Sequence, residues 1–169
     1  YVYTSAPLQM DNSGDSPVVP DSEAEKWQNL EKTYRGTGIK VLIMSNYYQH
    51  QPEGAEAVDC DGRELDMACL YDDTFYRWMR RVIAEQARAY SQYDVFGGFV
   101  FDDGWGTRVD ACYCDVCAEL FRERYAADPP PFEHHRGTGV IDDESVVLQW
   151  EEFQRVAYDR YVREQSDAV

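Results

Sequence analysis

VFGGFVFDDGWGTRVDACYCDVC, residues Val95 to Cys117, is the stretch that decides how the chain is read. Val95 to Phe101 is an apolar run of strand length, the pattern of a parallel-sheet strand buried on both faces. Gly97 and Gly98 inside it allow a neighbouring backbone to come close. Two acids, Asp102 and Asp103, stand where the run ends, and Gly104 and Trp105 form a turn behind them. The C-x-C-x-x-C run of Cys112, Cys114 and Cys117 then offers three thiolates from one short turn to a soft or borderline metal. The stretch therefore reads as a catalytic strand end braced by a metal site.

Working outward, two further strands appear upstream, Tyr1 to Thr4 and the nearly all-apolar Ile39 to Met44 (IKVLIM). Between them Trp27, Leu30 and Tyr34 share one helical face, with a capping box expected at Ser22 and Glu25 and a stop at Gly36 and Gly38. A strongly amphipathic helix runs from Asp73 or Thr74 to about Tyr90, with Phe75, Met79, Val82, Ile83 and Ala87 on one stripe. Its Arg77, Arg80, Arg81 and Arg88 form the solvated side. Val116, Leu120, Phe121 and Tyr125 mark a shorter helix ending at Asp128-Pro129, and Val146, Trp150, Phe153, Ala157 and Tyr161 mark a last one from about Asp143. Ser45 to Tyr71 is expected to be one long polar loop.

Strands alternating with helices define an α/β class of parallel β/α units with right-handed crossovers. Three strands are too few for a closed (β/α)₈ barrel, which needs about 250 residues against the 169 present. The expectation is a single domain over residues 1–169 that forms part of a TIM barrel, about three to four of its β/α units, opening upstream inside or at the edge of a strand. A small open α/β sheet is the alternative.

The net charge of −16, from 32 acids against 16 Lys and Arg, repels phosphate backbones and argues against nucleic acid as a partner. Only Lys26, Lys32 and Lys40 are lysines, and an acidic surface this poor in lysine is read as a halophilic adaptation in which salt screens self-repulsion. No apolar run spans a bilayer and no targeting segment is visible, which favours a soluble, cytoplasmic protein without a membrane partner, free to associate as a homo-oligomer. Five cysteines, three of them crowded, suit a metal better than a disulfide scaffold.

Ligands of parallel α/β folds sit at the carboxyl ends of the strands. Asn46, Tyr47 and His50 follow one strand there, and Asp102, Asp103 and Trp105 follow the next. Adjacent acids on a strand face opposite ways, so one carboxylate at most aims at a given pocket; alternation favours Asp102, and the bland alternative is acids that bind loop amides. A carboxylate beside a Trp platform for a sugar face suits a glycosidase, which uses two carboxylates around an oxocarbenium-like transition state. Tetrahedral zinc needs a fourth ligand besides Cys112, Cys114 and Cys117, and Cys69 and Cys60 are the candidates. His134 and His135 read as surface residues.

MACLYDDTFYRWMRRVIAEQARAY, FGGFVFDDGWG and CYCDVCAELFRERY together resemble the third and fourth β/α units of family 42 glycoside hydrolases, the β-galactosidase-like TIM barrels, and the related hypothetical, fucosidase-like glycosyl hydrolases. That resemblance implies a structural zinc held by a cysteine before the long helix and by the C-x-C-x-x-C cluster. It selects Cys69 over Cys60. Family 42 enzymes carry Asn-Glu at this strand end, the Glu being the general acid/base, and the alignment puts Asp103 on the Asn and Gly104 on the Glu. FVFDDGW is closer to the strand ends of fucosidase-like barrels, whose aspartate is the nucleophile, and this gives Asp102 that role. The last helix, QWEEFQRVAYDRYV, is similar to a Trp-x-x-Phe helix of the same putative glycosidases. The implied protein is a glycoside hydrolase acting on a carbohydrate substrate. Its rivals are a non-catalytic carbohydrate-binding protein and a zinc-stapled interaction module on the same scaffold.

Overall fold

The structure is a computed structural model and describes residues 1–5, 9–10, 17–18, 20–45, 47, 52–101, 112–130 and 144–169. In chain order its elements are β1 (Val2–Ser5), β2 (Gln9–Met10), β3 (Pro17–Val18), α1 (Asp21–Tyr34), β4 (Val41–Ser45), β5 (Glu56–Val58), β6 (Glu64–Ala68), α2 (Asp73–Tyr90), β7 (Phe96–Phe101), α3 (Asp115–Tyr125) and α4 (Glu144–Asp167). This is a mixed α/β fold with a three-stranded parallel sheet in the order β1-β4-β7 and, among the described residues, four helices. The chain packs as two compact units, one of Tyr1–Asn46, Met79–Asp102 and Gln165–Val169, the other of Tyr47–Trp78 and Asp103–Glu164.

The first unit is built on the parallel sheet. Val41 and Ile43 of β4 point to one face, and there they join Trp27, Tyr90 and Val95 in a fully buried cluster flanked by Leu30, Tyr34, Phe96 and Phe99. Trp27 stacks on Tyr90 with ring centroids 4.6 Å apart and on Tyr93 at 5.6 Å, and meets the edge of Phe96 at 5.9 Å. Such rings contribute both buried area and preferred ring geometry. Glu31, one turn beyond Trp27, is also buried; its carboxylate accepts from the Val95 amide at 3.4 Å and pairs with Arg35. A helix-borne acid thus holds the start of β7 in place.

β7 is not a regular strand. Val41 pairs with Phe96 but Leu42 pairs with Gly98, so Gly97 is an extra residue opposite the β4 ladder. A Cβ on Gly97 would lie 2.8 Å from Lys40 Cβ and 3.0 Å from Leu42 Cδ2, and Gly98 has φ +119, where an L side chain is strained. The bulge shifts the alternation by one, so Phe96 and Phe99 fall on the same face and meet edge to face at 5.6 Å. Phe101 continues that face, stacking with Phe99. The opposite face carries Tyr3, Leu42, Met44 and Val100, with Tyr3 58% and Met44 45% exposed.

The second unit holds an antiparallel hairpin, β5 against β6 with Glu56 opposite Ala68 and Val58 opposite Glu64. The sequence reads this region as loop; the strands are too short to show a period, and their pairing depends on a turn in which Asp59 Oδ1 accepts from the amides of Asp61 and Arg63, both at 2.9 Å. Phe75, Tyr161, Phe121, Trp150 and Phe153 form the aromatic core of this unit.

Two local expectations change. The capping box at Ser22 and Glu25 is not made: α1 starts two residues earlier, with extended Pro20 at its N-cap, no side-chain cap, and the Glu23 amide donating to Pro20 O at 2.9 Å. On α3, Val116 and Leu120 are exposed while Cys117 and Phe121 are buried, so the helix is turned away from the face that hydropathy alone selects. The other expected helices, the solvated arginines of α2 and the place and direction of the three parallel strands agree with the structure, but burial on both faces does not: Tyr3 and Met44 are exposed and no residue of β7 is fully buried.

Gly98→Ala should lower the unfolding free energy by about 1–3 kcal/mol, the cost of holding an L residue in a sparsely populated backbone region. Urea denaturation followed by tryptophan fluorescence measures it, and an unchanged midpoint would show that the bulge relaxes freely.

Candidate metal centre

Three pieces of the second unit deliver four sulfurs to one point. Cys69 directly follows β6, and its amide donates to Ala55 O at 2.8 Å, which extends the hairpin pairing up to the ligand. Cys112 and Tyr113 lie along β5: the Tyr113 amide donates to Val58 O at 2.7 Å and the Val58 amide donates to Cys112 Sγ at 3.2 Å. Cys114 is the N-cap of α3, and Cys117 sits in its first turn. The i, i+4, i+8 row of Cys117, Phe121 and Tyr125 therefore faces inward, which explains the rotation of α3.

The sulfurs of Cys69, Cys112, Cys114 and Cys117 all lie within 4.8 Å of one another. Cys69 Sγ is 3.4 Å from Cys117 Sγ and 3.7 Å from Cys114 Sγ. Four thiolates about 2.3 Å from a tetrahedral metal stand about 3.8 Å apart, whereas a disulfide needs about 2.05 Å. The spacing fits a shared metal ion and not a bridge, and the four cysteines can hold one. Cys60 is exposed and outside the group. Of the two candidates for fourth ligand, Cys69 is the one that joins the cluster.

Hydrogen bonds among the four thiols split their acidities, lowering Cys112 and Cys114 and raising Cys69 and Cys117. The Cys114 thiol is pushed well below its usual range by hydrogen bonds with Cys112, Cys117 and Cys69, while Cys117 is pushed far above it by bonds with Cys112, Cys114 and Cys69 and by burial. The four groups share their protons as one unit, which a metal ion would displace together. Cys112 Sγ also accepts from the Cys114 amide at 3.4 Å, so two backbone N–H groups converge on this sulfur and offset negative charge there. With four sulfur donors no coordination position is left for substrate, so the centre suits bracing and not catalysis.

An aromatic wall stands beside the cluster. Tyr71 stacks on Phe153 at 4.2 Å, and its hydroxyl donates to Phe153 O at 2.7 Å. Burial and then the nearby Cys117 raise the Tyr71 hydroxyl above its usual range. A shallow groove of about 310 Å³ opens there between Tyr71, Leu120, Glu123, Arg124 and Phe153. Neither the Val58 amide nor the Tyr71 wall is named by sequence reasoning. The only trace of Tyr71 is its place two residues after a ligand, and a backbone amide carries no sequence signal at all.

Of the strand-end residues, Asn46, His50, Asp102, Asp103 and Trp105 lie outside the described residues. Tyr47 is described, and its side chain is buried. No helix among the described residues is long and apolar enough to cross a membrane.

The sequence matches no protein-family model and no curated protein. Among solved structures the chain is similar to the β-galactosidase of Rahnella sp. R3, with a TM-score of 0.63 and 13% sequence identity. The match covers 98% of this chain and 29% of that one, so this chain spans under a third of the enzyme's length. At that identity the likeness is one of fold: nearly every part of this chain has a counterpart in a glycosidase structure.

Titrating the reduced protein with Co²⁺ or Zn²⁺ should fill a single site. Cys60→Ser should bind as the unaltered protein does, and Cys69→Ser should bind at least about tenfold more weakly. Equal loss in both variants would remove Cys69 from the ligand set.

Proposed function

We infer that this chain is part of a (β/α)₈ glycoside hydrolase, acting on a carbohydrate substrate and braced by structural zinc. The observation that carries this reading is the fold likeness to a β-galactosidase over 98% of the chain. The apolar face of Tyr3, Leu42, Met44 and Val100, exposed at Tyr3 and Met44, supports it, because in a closed barrel the face turned away from the helices is the packed interior. Residues 1–169 then belong to one partial barrel domain. Zinc is favoured for the metal because four thiolates at tetrahedral spacing are its preferred structural set.

Strand parity supports Asp102 as the catalytic carboxylate. Phe99 and Phe101 share the helix-facing side and Val100 the other; of two adjacent acids only one can share Val100's side, the interior side of a barrel, and alternation in the sequence favours Asp102 for it. In this reading Asp102 is the nucleophile or charge stabiliser. Asp103 and Trp105 shape the sugar site together with Asn46 and His50; Tyr47, whose side chain is buried, is left out of it. A second carboxylate is needed for hydrolysis, and Gly104 stands where family 42 enzymes keep theirs. That substitution favours, as the second reading, a carbohydrate-binding protein without turnover. The acidic, lysine-poor surface fits a protein working in high salt.

Asp102→Asn in the full-length gene product should lower kcat on aryl glycosides by at least about 10³-fold, with the thermal midpoint unchanged. Full retained activity would remove Asp102 from the mechanism. Binding of glycans without hydrolysis by the unaltered protein would select the second reading.

A further inference from the structure

The cysteine cluster has an asymmetry that metal bracing does not require. Cys69, Cys112 and Cys117 are buried, whereas Cys114 is partly open to solvent at the N-cap of α3. Its sulfur makes no cap hydrogen bond, and the Cys69 sulfur is 3.7 Å away across the cluster. Cys69 and Cys114 also come from segments far apart in sequence, so a bond between them would close a long loop. Cys112, by contrast, is held by two amides and is fully buried.

We propose that Cys114 is an oxidation site, at which a peroxide forms a sulfenic acid that Cys69 resolves to a Cys69–Cys114 disulfide with release of the bound metal. The chemistry balances in two steps. The Cys114 thiolate attacks one peroxide oxygen, the O–O bond breaks, an S–OH group forms and hydroxide leaves. The Cys69 thiolate then attacks the Cys114 sulfur, the S–O bond breaks and a second hydroxide leaves. Two sulfurs each give up one electron and the peroxide takes both. The sulfurs must close from 3.7 Å to about 2.05 Å. The metal then keeps two of its four thiolates, too few to hold it in a tetrahedral site. The proposal rests on the metal reading above only for the release step; the disulfide depends on the sulfur geometry alone.

The test uses the Cys60→Ser protein, which removes the exposed thiol, loaded with Zn²⁺ and treated with hydrogen peroxide. Released Zn²⁺ is followed with a chromogenic chelator, and bridges are located by alkylation and peptide mass mapping. The expected result is a Cys69–Cys114 bridge that forms in step with Zn²⁺ release and is reversed by dithiothreitol. Adding Cys114→Ser should slow release at least about tenfold, because the most accessible sulfur is gone; if that variant does not fold, the map of the Cys60→Ser protein decides alone. A Cys114–Cys117 bridge, or four thiols still reduced with Zn²⁺ retained, overturns the proposal and leaves the metal reading standing. A Cys69–Cys114 bridge in protein that never takes up Zn²⁺ upholds the oxidation and overturns the metal reading.

Discussion

The convergence of four sulfurs is the constraint on which the second unit depends. One ligand ends the β5–β6 hairpin, one runs along β5 and two begin α3, so a single point ties together segments that share few other reasons to meet. The cost of gathering four sulfurs without a cation is mutual repulsion and desolvation, and the two amides on Cys112 offset only part of it. Metal binding in such a site is folding free energy. The consequence reaches beyond the ligands, because Cys117 sets the rotation of α3 and thereby decides which aromatic residues meet Trp150 and Phe153.

A different device orders the first unit. The bulge at Gly97 lets β7 approach Lys40 and Leu42 closely and reverses the alternation midway, and the result is an unbroken aromatic ridge of Phe96, Phe99 and Phe101. Trp27 fills the space between that ridge and Tyr90. Glu31 accepts from the amide of Val95, the residue just before the strand, so the start of β7 is held by a buried carboxylate as well as by its ladder. Two glycines that look like weak points in a strand are thus what allow the strand to be used.

Much of this was legible because the signals are local. Apolar runs gave two of the parallel strands and the β-favouring YVYT the other, and helical spacing gave α1, α2 and α4 close to their true limits. The cysteine spacing gave three ligands. What failed depends on distant partners: β5 and β6 are short and exist by pairing with each other, and the rotation of α3 follows from a sulfur, which hydropathy does not weigh as an anchor. The expected capping box failed because the helix begins two residues before it, at Asp21 behind Pro20, without a side-chain cap. The choice of Cys69 over Cys60 needed a resemblance, since both precede the cluster in the same stretch and only the geometry separates an exposed turn residue from a buried ligand.

The order β1-β4-β7 leaves β1 and β7 each paired on one side only among the described strands. Every second amide and carbonyl along those outer rails points away from β4, next to a face that exposes Tyr3 and Met44. Such a rail is a template for extended backbone, and the Gly97 bulge interrupts it on β7 while β1 offers only four residues. In the barrel proposed above each rail would be taken up by a neighbouring strand of the same protein, so closing the sheet is what removes its edges.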